Sequence, residues 1–161
     1  MRRFLILVFI ACSCTGKLSD EQRQKLHEGM ATQDIKRVSE ADLQAAAWDY
    51  AKAVLADVEK VDIDMHSKPK IDSIAASRHV KIYSLIPADS ALREIEKQLV
   101  DAYITGADVG SVGDNLQKVG EDSLLYTKPV FRNRPDGSQQ FSHAIGIKMA
   151  KKTIILSMPS P

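Results

Sequence analysis

Apolar residues recur along this chain with two different periods, and the changes of period mark out its elements. From Leu43 the series Leu43, Ala46, Ala47, Tyr50, Ala51, Val54, Val58 and Val61 advances by threes and fours. That spacing returns a helix to the same face, so it predicts one long helix from about 40 to 60. Ser39 stands ahead of it as N-cap, and Glu40 and Asp42 put acids in the first turn, where the helix dipole favours them. From His79 to Ile86 the period drops to two. Val80, Ile82 and Ser84 point one way, Lys81, Tyr83 and Leu85 the other, and Pro87 ends the strand. Helical spacing returns with Leu92, Ile95, Leu99, Ala102 and Tyr103. Asp89 or Ser90 is the expected cap, Arg93, Glu94, Glu96 and Lys97 form the wet face, and Gly106 is the stop.

The rest of the pattern is shorter. Ser19-Asp-Glu-Gln22 has the form of a capping box and opens a polar helix to about Thr32, with Leu26 and Met30 as its apolar pair. Residues 62–70 read as a loop stopped by Pro69, Ile71 to Ala76 as one or two helical turns, and 106–121 as a glycine-rich connection. The C-terminal part reads as β. Ser123 to Phe131 is a strand whose Pro129 suits an edge or a bulge. Arg134-Pro-Asp-Gly137 is a turn. From Gln140 to Met149, Phe141, His143, Ile145, Ile147 and Met149 share a face, and after a Lys151-Lys152 turn Thr153 to Met158 forms a last strand. The expected fold is α+β: an antiparallel sheet with the long helix and further helices packed over one face. Its core joins the 43–58 stripe, Leu92, Ile95 and Leu99 to the Phe141, Ile145 and Ile147 face.

The N-terminus carries a different signal. Met1-Arg2-Arg3 is basic, Phe4 to Ile10 is apolar, and Ala11 precedes Cys12. A basic start, an apolar run and a small residue before cysteine resemble a bacterial lipoprotein signal peptide. The run falls short of the ~20 apolar residues that span a bilayer. The resemblance implies cleavage before Cys12 and a lipid on its sulfur, with Cys14 as a rival acceptor. The organisation expected is therefore a signal peptide over 1–11, a lipidated tether with the polar helix over 12–38, and a folded domain over 39–161. The location expected is the cell envelope, on the periplasmic side of the inner or outer membrane. Cys12 and Cys14 are the two cysteines of the chain. The folded body thus lacks thiolates for a disulfide, a metal or a nucleophile. With 22 basic and 21 acidic residues the charge is nearly balanced. Nothing attracts a polyanion in bulk, so nucleic acid is not an expected partner.

The order of elements carries a family resemblance. The Ala-rich helix around Trp48, the strand His79–Leu85, the helix Ala91–Tyr103 and Tyr126-Thr127-Lys128-Pro129 ahead of a final hairpin resemble an exported bacterial PAS-like sensor domain family. Its better-known members carry c-type haem. Those members have Cys-x-x-Cys-His where this chain has Phe131-Arg-Asn-Arg-Pro-Asp-Gly137, so the resemblance implies a PAS-like shell without covalent haem.

Few residues offer chemistry. A pocket between helix and sheet would be lined by His143, Tyr126 and Tyr50, the expected ligand-binding residues. His143 could also ligate non-covalent haem with His79 or Met149, although a histidine on an apolar strand face usually bonds a carbonyl. Asp62, Asp64 and His66 alternate and could face one metal ion, but a polar linker accounts for them more simply, and no metal or other cofactor is expected. Arg132, Arg134, Lys148, Lys151 and Lys152 could grip an acidic ligand or lipid headgroups, against the default of a solvated hairpin. Gly110-Ser-Val-Gly113 lacks the ending of a phosphate loop, and no hydrolase or metalloprotease motif is present, so no catalytic residue is named. The function expected is a membrane-anchored periplasmic lipoprotein with a non-enzymatic sensory or small-ligand-binding domain. The alternatives are a structural or interaction lipoprotein docking onto another envelope protein, and a non-covalent haem binder.

Overall fold

A computed structural model describes residues 19–25, 38–106 and 112–158. Contacts divide the chain into two compact units, residues 1–37 and 38–161. In the first unit the expected capping box is present. The Gln22 amide donates to Ser19 Oγ at 3.3 Å and the Ser19 amide to Gln22 Oε1 at 3.2 Å, opening a helical turn over 20–25. Leu26, Met30, Cys12 and Cys14 lie outside the described residues.

The second unit runs α1 (Glu40–Val61), α2 (Lys68–Ser77), β1 (Lys81–Leu85), α3 (Glu94–Thr105), β2 (Asn115–Lys118), β3 (Ser123–Asn133), β4 (Gln139–Ala150) and α4 (Lys151–Ser157). The four strands form one antiparallel sheet in the order β1-β4-β3-β2. α1 follows its stripe as far as Val58: Leu43, Ala47, Ala51, Val54 and Val58 are buried with Leu55 beside them, Val61 is exposed, and Ser39 caps the helix by accepting the Asp42 amide. The β3–β4 turn closes as expected, with the Gly137 amide on the Arg134 carbonyl at 3.0 Å and Gly137 at φ +83. β2 reaches no farther along β3 than Thr127, so Pro129 lies where that edge has no strand neighbour.

Several expectations are corrected. The helices do not share one face of the sheet. α1, α2 and α4 pack with Ile82, Leu124, Tyr126, Ile145, Ile147 and Met149, while α3 packs with Leu85, Leu125, Phe141 and Ala144. The two sets alternate along β3 and β4, so they lie on opposite faces, and α3 closes a third layer. Phe141 does not share the face of Ile145, because the register pairs Val130 with His143 but Phe131 with Phe141. Ser142 is the extra residue of that bulge, and one extra residue turns Phe141 over. There it stacks on Tyr103, with ring centroids 5.7 Å apart.

The phase of α3 differs from expectation too. Its buried residues are Glu96, Leu99, Val100 and Tyr103, whereas Ile95 is half-buried outside both apolar clusters and Ala102 is exposed. Asp89 bonds the Ala91 amide in the turn ahead rather than capping the helix. Gly106 ends α3 at φ −82, so conformational freedom does not select it. Space does: a Cβ there would meet the Ala102 carbonyl oxygen at 2.8 Å. Pro69 starts α2 rather than stopping a loop, since its missing N–H costs nothing in a first turn. Residues 115–118, within the expected glycine-rich connection, are a strand. Lys151 to Ser157 is a helix, not a turn and a strand: the Lys151 amide bonds the Asp122 carbonyl, and Ile154 is fully buried.

Glu96 is the charged residue in this interior, 4% exposed. Tyr83 Oη donates to its Oε1 at 2.6 Å, Arg93 Nε at 3.1 Å, and the Arg93 amide to Oε2 at 2.9 Å. Burial alone would raise this carboxyl, but the bonds from Arg93 and Tyr83 outweigh it and hold the pKa at about 2. A carboxyl depressed in the fold stabilises above its unfolded value near 4.5, and that stabilisation is lost as pH falls through about 2. The linkage is on the order of 3 kcal/mol. Urea melts between pH 2 and 7 should show this acid limb in the natural chain and its loss in Glu96→Gln. Parallel pH profiles for the two would sink the assignment.

Gly146 carries a second constraint. A Cβ on it would lie 2.5 Å from Leu85 Cδ1 and 3.3 Å from the Tyr83 ring. Leu85 is fully buried and has little room to yield. Gly146→Ala should therefore destabilise the fold by about 1–3 kcal/mol, read from the urea midpoint.

Candidate functional site

The three expected ligand-binding residues are employed separately. His143 is buried, with Nε2 3.2 Å from the Ile63 carbonyl oxygen and Nδ1 3.2 Å from Ser142 Oγ. It pins the α1–α2 connection to β4. Tyr126 is fully buried beneath Trp48, whose ring meets it edge-on at 5.5 Å. Its hydroxyl donates to the Asp114 carboxylate, and burial together with that carboxylate pushes its pKa up. Tyr50 on α1 donates to the Arg78 carbonyl at 2.6 Å and fixes the end of α2. No common cavity gathers the three among the described residues.

The other candidates separate as well. β1 pairs Lys81 with Lys148 and Leu85 with Ala144, so His79 and His143 sit toward opposite ends of that pairing. Strand rise already puts Lys148, opposite Lys81, roughly 17 Å from His143, and His79 lies beyond Lys81, too far for one iron to join the two histidines. Met149 lies six residues along β4 from His143 and is fully buried. The five basic residues split along β4. Arg132 and Arg134 flank the hairpin tip, where Arg132 reaches Asp64 Oδ1 at 2.8 Å and Arg134 reaches Gln140. Lys148, Lys151 and Lys152 stand at the other end, roughly 30 Å away.

Asp62, Asp64 and His66 do converge, with one donor atom of each within 4.8 Å of the others. Both carboxylates already accept hydrogen bonds from the protein. The Ser67 amide donates to Asp62 Oδ2 at 2.6 Å and the Asp64 amide to Oδ1 at 3.1 Å. The Ser67 amide chiefly holds the Asp62 carboxyl below its ordinary value, and Arg132 does the same for Asp64. The trio turns the chain from α1 into α2.

What remains is a surface groove of about 440 Å³ lined by Tyr50, His79, Lys152, Thr153, Leu156 and Ser157. Of the three expected ligand-binding residues Tyr50 reaches it, and His79 and Lys152, candidates for haem and for an acidic ligand, line it as well. His79 stands on its rim at φ +52, in the left-handed turn that joins α2 to β1. Thr153, Leu156 and Ser157 face the groove only because the last segment is a helix, so a strand reading scattered them. Smaller grooves lie beside Met65, Ile71 and Tyr83 (about 210 Å³) and beside Asp89, Leu92 and Val100 (about 320 Å³). Glu96 and Asp114 were not legible as site chemistry, since each acquires its role from partners distant in sequence. No helix among the described residues is long and apolar enough to cross a membrane.

No protein-family model, curated protein or solved structure matches this chain significantly.

Engaged carboxylates predict weak competition for cations at the Asp62, Asp64 and His66 turn. Millimolar Ca²⁺ or micromolar Zn²⁺ should leave the melting temperature unchanged. A rise that disappears in Asp64→Asn would establish a metal site there.

Proposed function

We propose that this chain is a lipid-anchored envelope protein whose folded unit is non-enzymatic and works by binding at its surface. One observation carries the choice of surface over interior pocket. The space between α1 and the sheet is filled, with Val54, Val58, Tyr126, Ile145, Ile147 and Met149 all at 0% exposure. A sensory, small-ligand role drawn from the PAS-like resemblance would place its ligand in that space, and a haem would need more room still. The distinctive side chains are also tied into the scaffold: His143 to Ile63, Tyr126 to Asp114, and Glu96 to Tyr83 and Arg93. By contrast, α4 leaves Ile155 and Leu156 exposed beside an open groove. The anchor is argued from the basic, apolar and small residues before Cys12. The reading places the unit on the periplasmic side of the inner or outer membrane, as an interaction module rather than a catalyst.

The anchor is tested by fractionation. Cys12→Ser should move the protein from the membrane to the soluble fraction or leave it unprocessed, while Cys14→Ser should leave it membrane-bound. The reverse pattern would move the lipid to Cys14. Soluble protein in both cases, and in the natural chain, would remove the anchor altogether.

A further inference from the structure

We propose that the outer edge of β1 takes an extended segment of another protein as an added strand of the sheet. This rests on the reading above, in which the unit works by binding at its surface, and it names the place and the kind of partner. β1 is the first strand in the order β1-β4-β3-β2, so β4 occupies one of its sides only. Among the described residues no backbone hydrogen bond other than that pairing reaches Lys81 to Leu85. The N–H and C=O groups that alternate along the other side are left to solvent or to a partner. A groove of about 210 Å³ runs there, lined by Ile82, Tyr83 and Ser84 in succession and by Met65 and Ile71 from the α2 side. Ile82 belongs to the core under α1 and Tyr83 to the core under α3. A space that touches both passes the edge of the strand, where its backbone groups are. Exposed aliphatic side chains continue the line. Ile86, 51% exposed, follows Leu85, and Ile63, 39% exposed, is held at the same end because its carbonyl bonds His143, next to Ala144, the partner of Leu85.

The chemistry of the edge says what covers it. Alternating backbone donors and acceptors are matched in full by another extended backbone, and pockets beside them select its alternate side chains. The groove is smaller than the ~300–1,000 Å³ of an ordinary small-molecule site, and suits one or two aliphatic side chains of such a segment. Lys68 and Asp72 on its rim carry opposite charges, so it favours neither an acidic nor a basic side chain. The partner segment is therefore uncharged where it pairs, with aliphatic residues at every second position. Other edges of this sheet are guarded against such pairing. β3 beyond Thr127 carries Lys128, Pro129 and Arg132, and β2 is four residues long and ends in Lys118. β1 has one charge, Lys81 at its start, with no proline and an unbroken register. A second copy is a poor occupant. Antiparallel pairing of two β1 edges keeps the same faces of both sheets together, so it would bring two α2 helices into one groove.

Both apolar clusters draw all their members from Val38 onward, so the second unit carries its whole core. The chain from Lys17 to Pro161 can therefore be used as bait for a library of random peptides of about seven residues, enough to cover a strand of usual length. Selected peptides should alternate aliphatic and polar residues. On binding they should slow amide hydrogen exchange at Lys81 to Leu85. N-methylation of one alternating set of peptide amides should abolish binding, while methylation of the other set is tolerated. Ile86→Lys and Ser84→Arg should each weaken binding by about tenfold or more. Ile104→Lys, an exposed position on α3 across the sheet, should bind like the natural chain. Unchanged melting temperatures keep the comparison free of folding defects.

The proposal is overturned if no peptide is selected, if both N-methylated sets bind, or if Ile86→Lys and Ser84→Arg both bind like the natural chain. Peptides that protect amides elsewhere and leave β1 unchanged would keep a surface-binding unit and remove this site. The intact mass of the protein extracted from cells separates it from the anchor. A Cys12 without diacylglycerol, together with peptide binding at β1, removes the anchor and leaves this site. The opposite result removes this site alone.

Discussion

The β3–β4 pairing is the constraint on which the rest of the unit depends. It runs from Ser123 opposite Ala150 to Asn133 opposite Gln139, and every other element packs on it or beside it. Both central strands are covered on both faces, so neither can be simply amphipathic. Leu124, Leu125, Tyr126 and Thr127 are buried in succession, as are Ala144, Ile145, Gly146 and Ile147. A strand buried on both sides cannot slip by one residue without exchanging its two cores. The small members of these runs, Ala144 and Gly146, set how closely β1 approaches, and Leu85 and Tyr83 occupy the space they leave.

Polar groups in this interior specify where the outer elements attach. Thr127 and Tyr103 share a buried hydroxyl pair at 2.6 Å that holds α3 to β3. Glu96 holds the start of α3 to Tyr83 on β1. His143 and Tyr50 fasten the two ends of α2 through the Ile63 and Arg78 carbonyls. A buried polar group left without a partner is costly, so each bond selects one docking of its helix over shifted ones. The same economy explains why the residues that looked like ligand contacts are not free to be so. Buried aromatic hydroxyls and imidazoles are conspicuous in a sequence because they have two ends, and in this unit the polar end is bonded within the scaffold.

With the interior committed, the two ends of the sheet are also unlike. The end of the sheet bearing Lys81, Lys148 and α4 differs from the hairpin end. At the hairpin, Arg132 and Arg134 are engaged by Asp64 and Gln140. At the other end α4 leaves Ile155 and Leu156 facing solvent.

The sequence by itself determined the elements whose signals are local and long. The stripe from Leu43 to Val58 repeats over about four turns, and Ser39 caps it with its own side chain, so no distant partner is needed. Arg134 to Gly137 closes a hairpin through residues that favour that turn anywhere. The alternation of Val80, Ile82, Tyr83 and Leu85 divides correctly between the two cores. The tertiary structure decided what depends on a neighbour. Lys151 to Ser157 carries β-branched residues in a segment too short for its period to discriminate, and it became a helix through the Asp122 carbonyl and the socket for Ile154. Asn115 to Lys118 lacks strand propensity and pairs only because β3 offers an edge. The bulge at Ser142 reversed Phe141, which no alternation rule foresees. Burial of Glu96 required Tyr83 and Arg93 to be in place before the charge could leave water. In each case the free energy that fixes the conformation comes from contacts between residues far apart in the chain, which a local pattern does not contain.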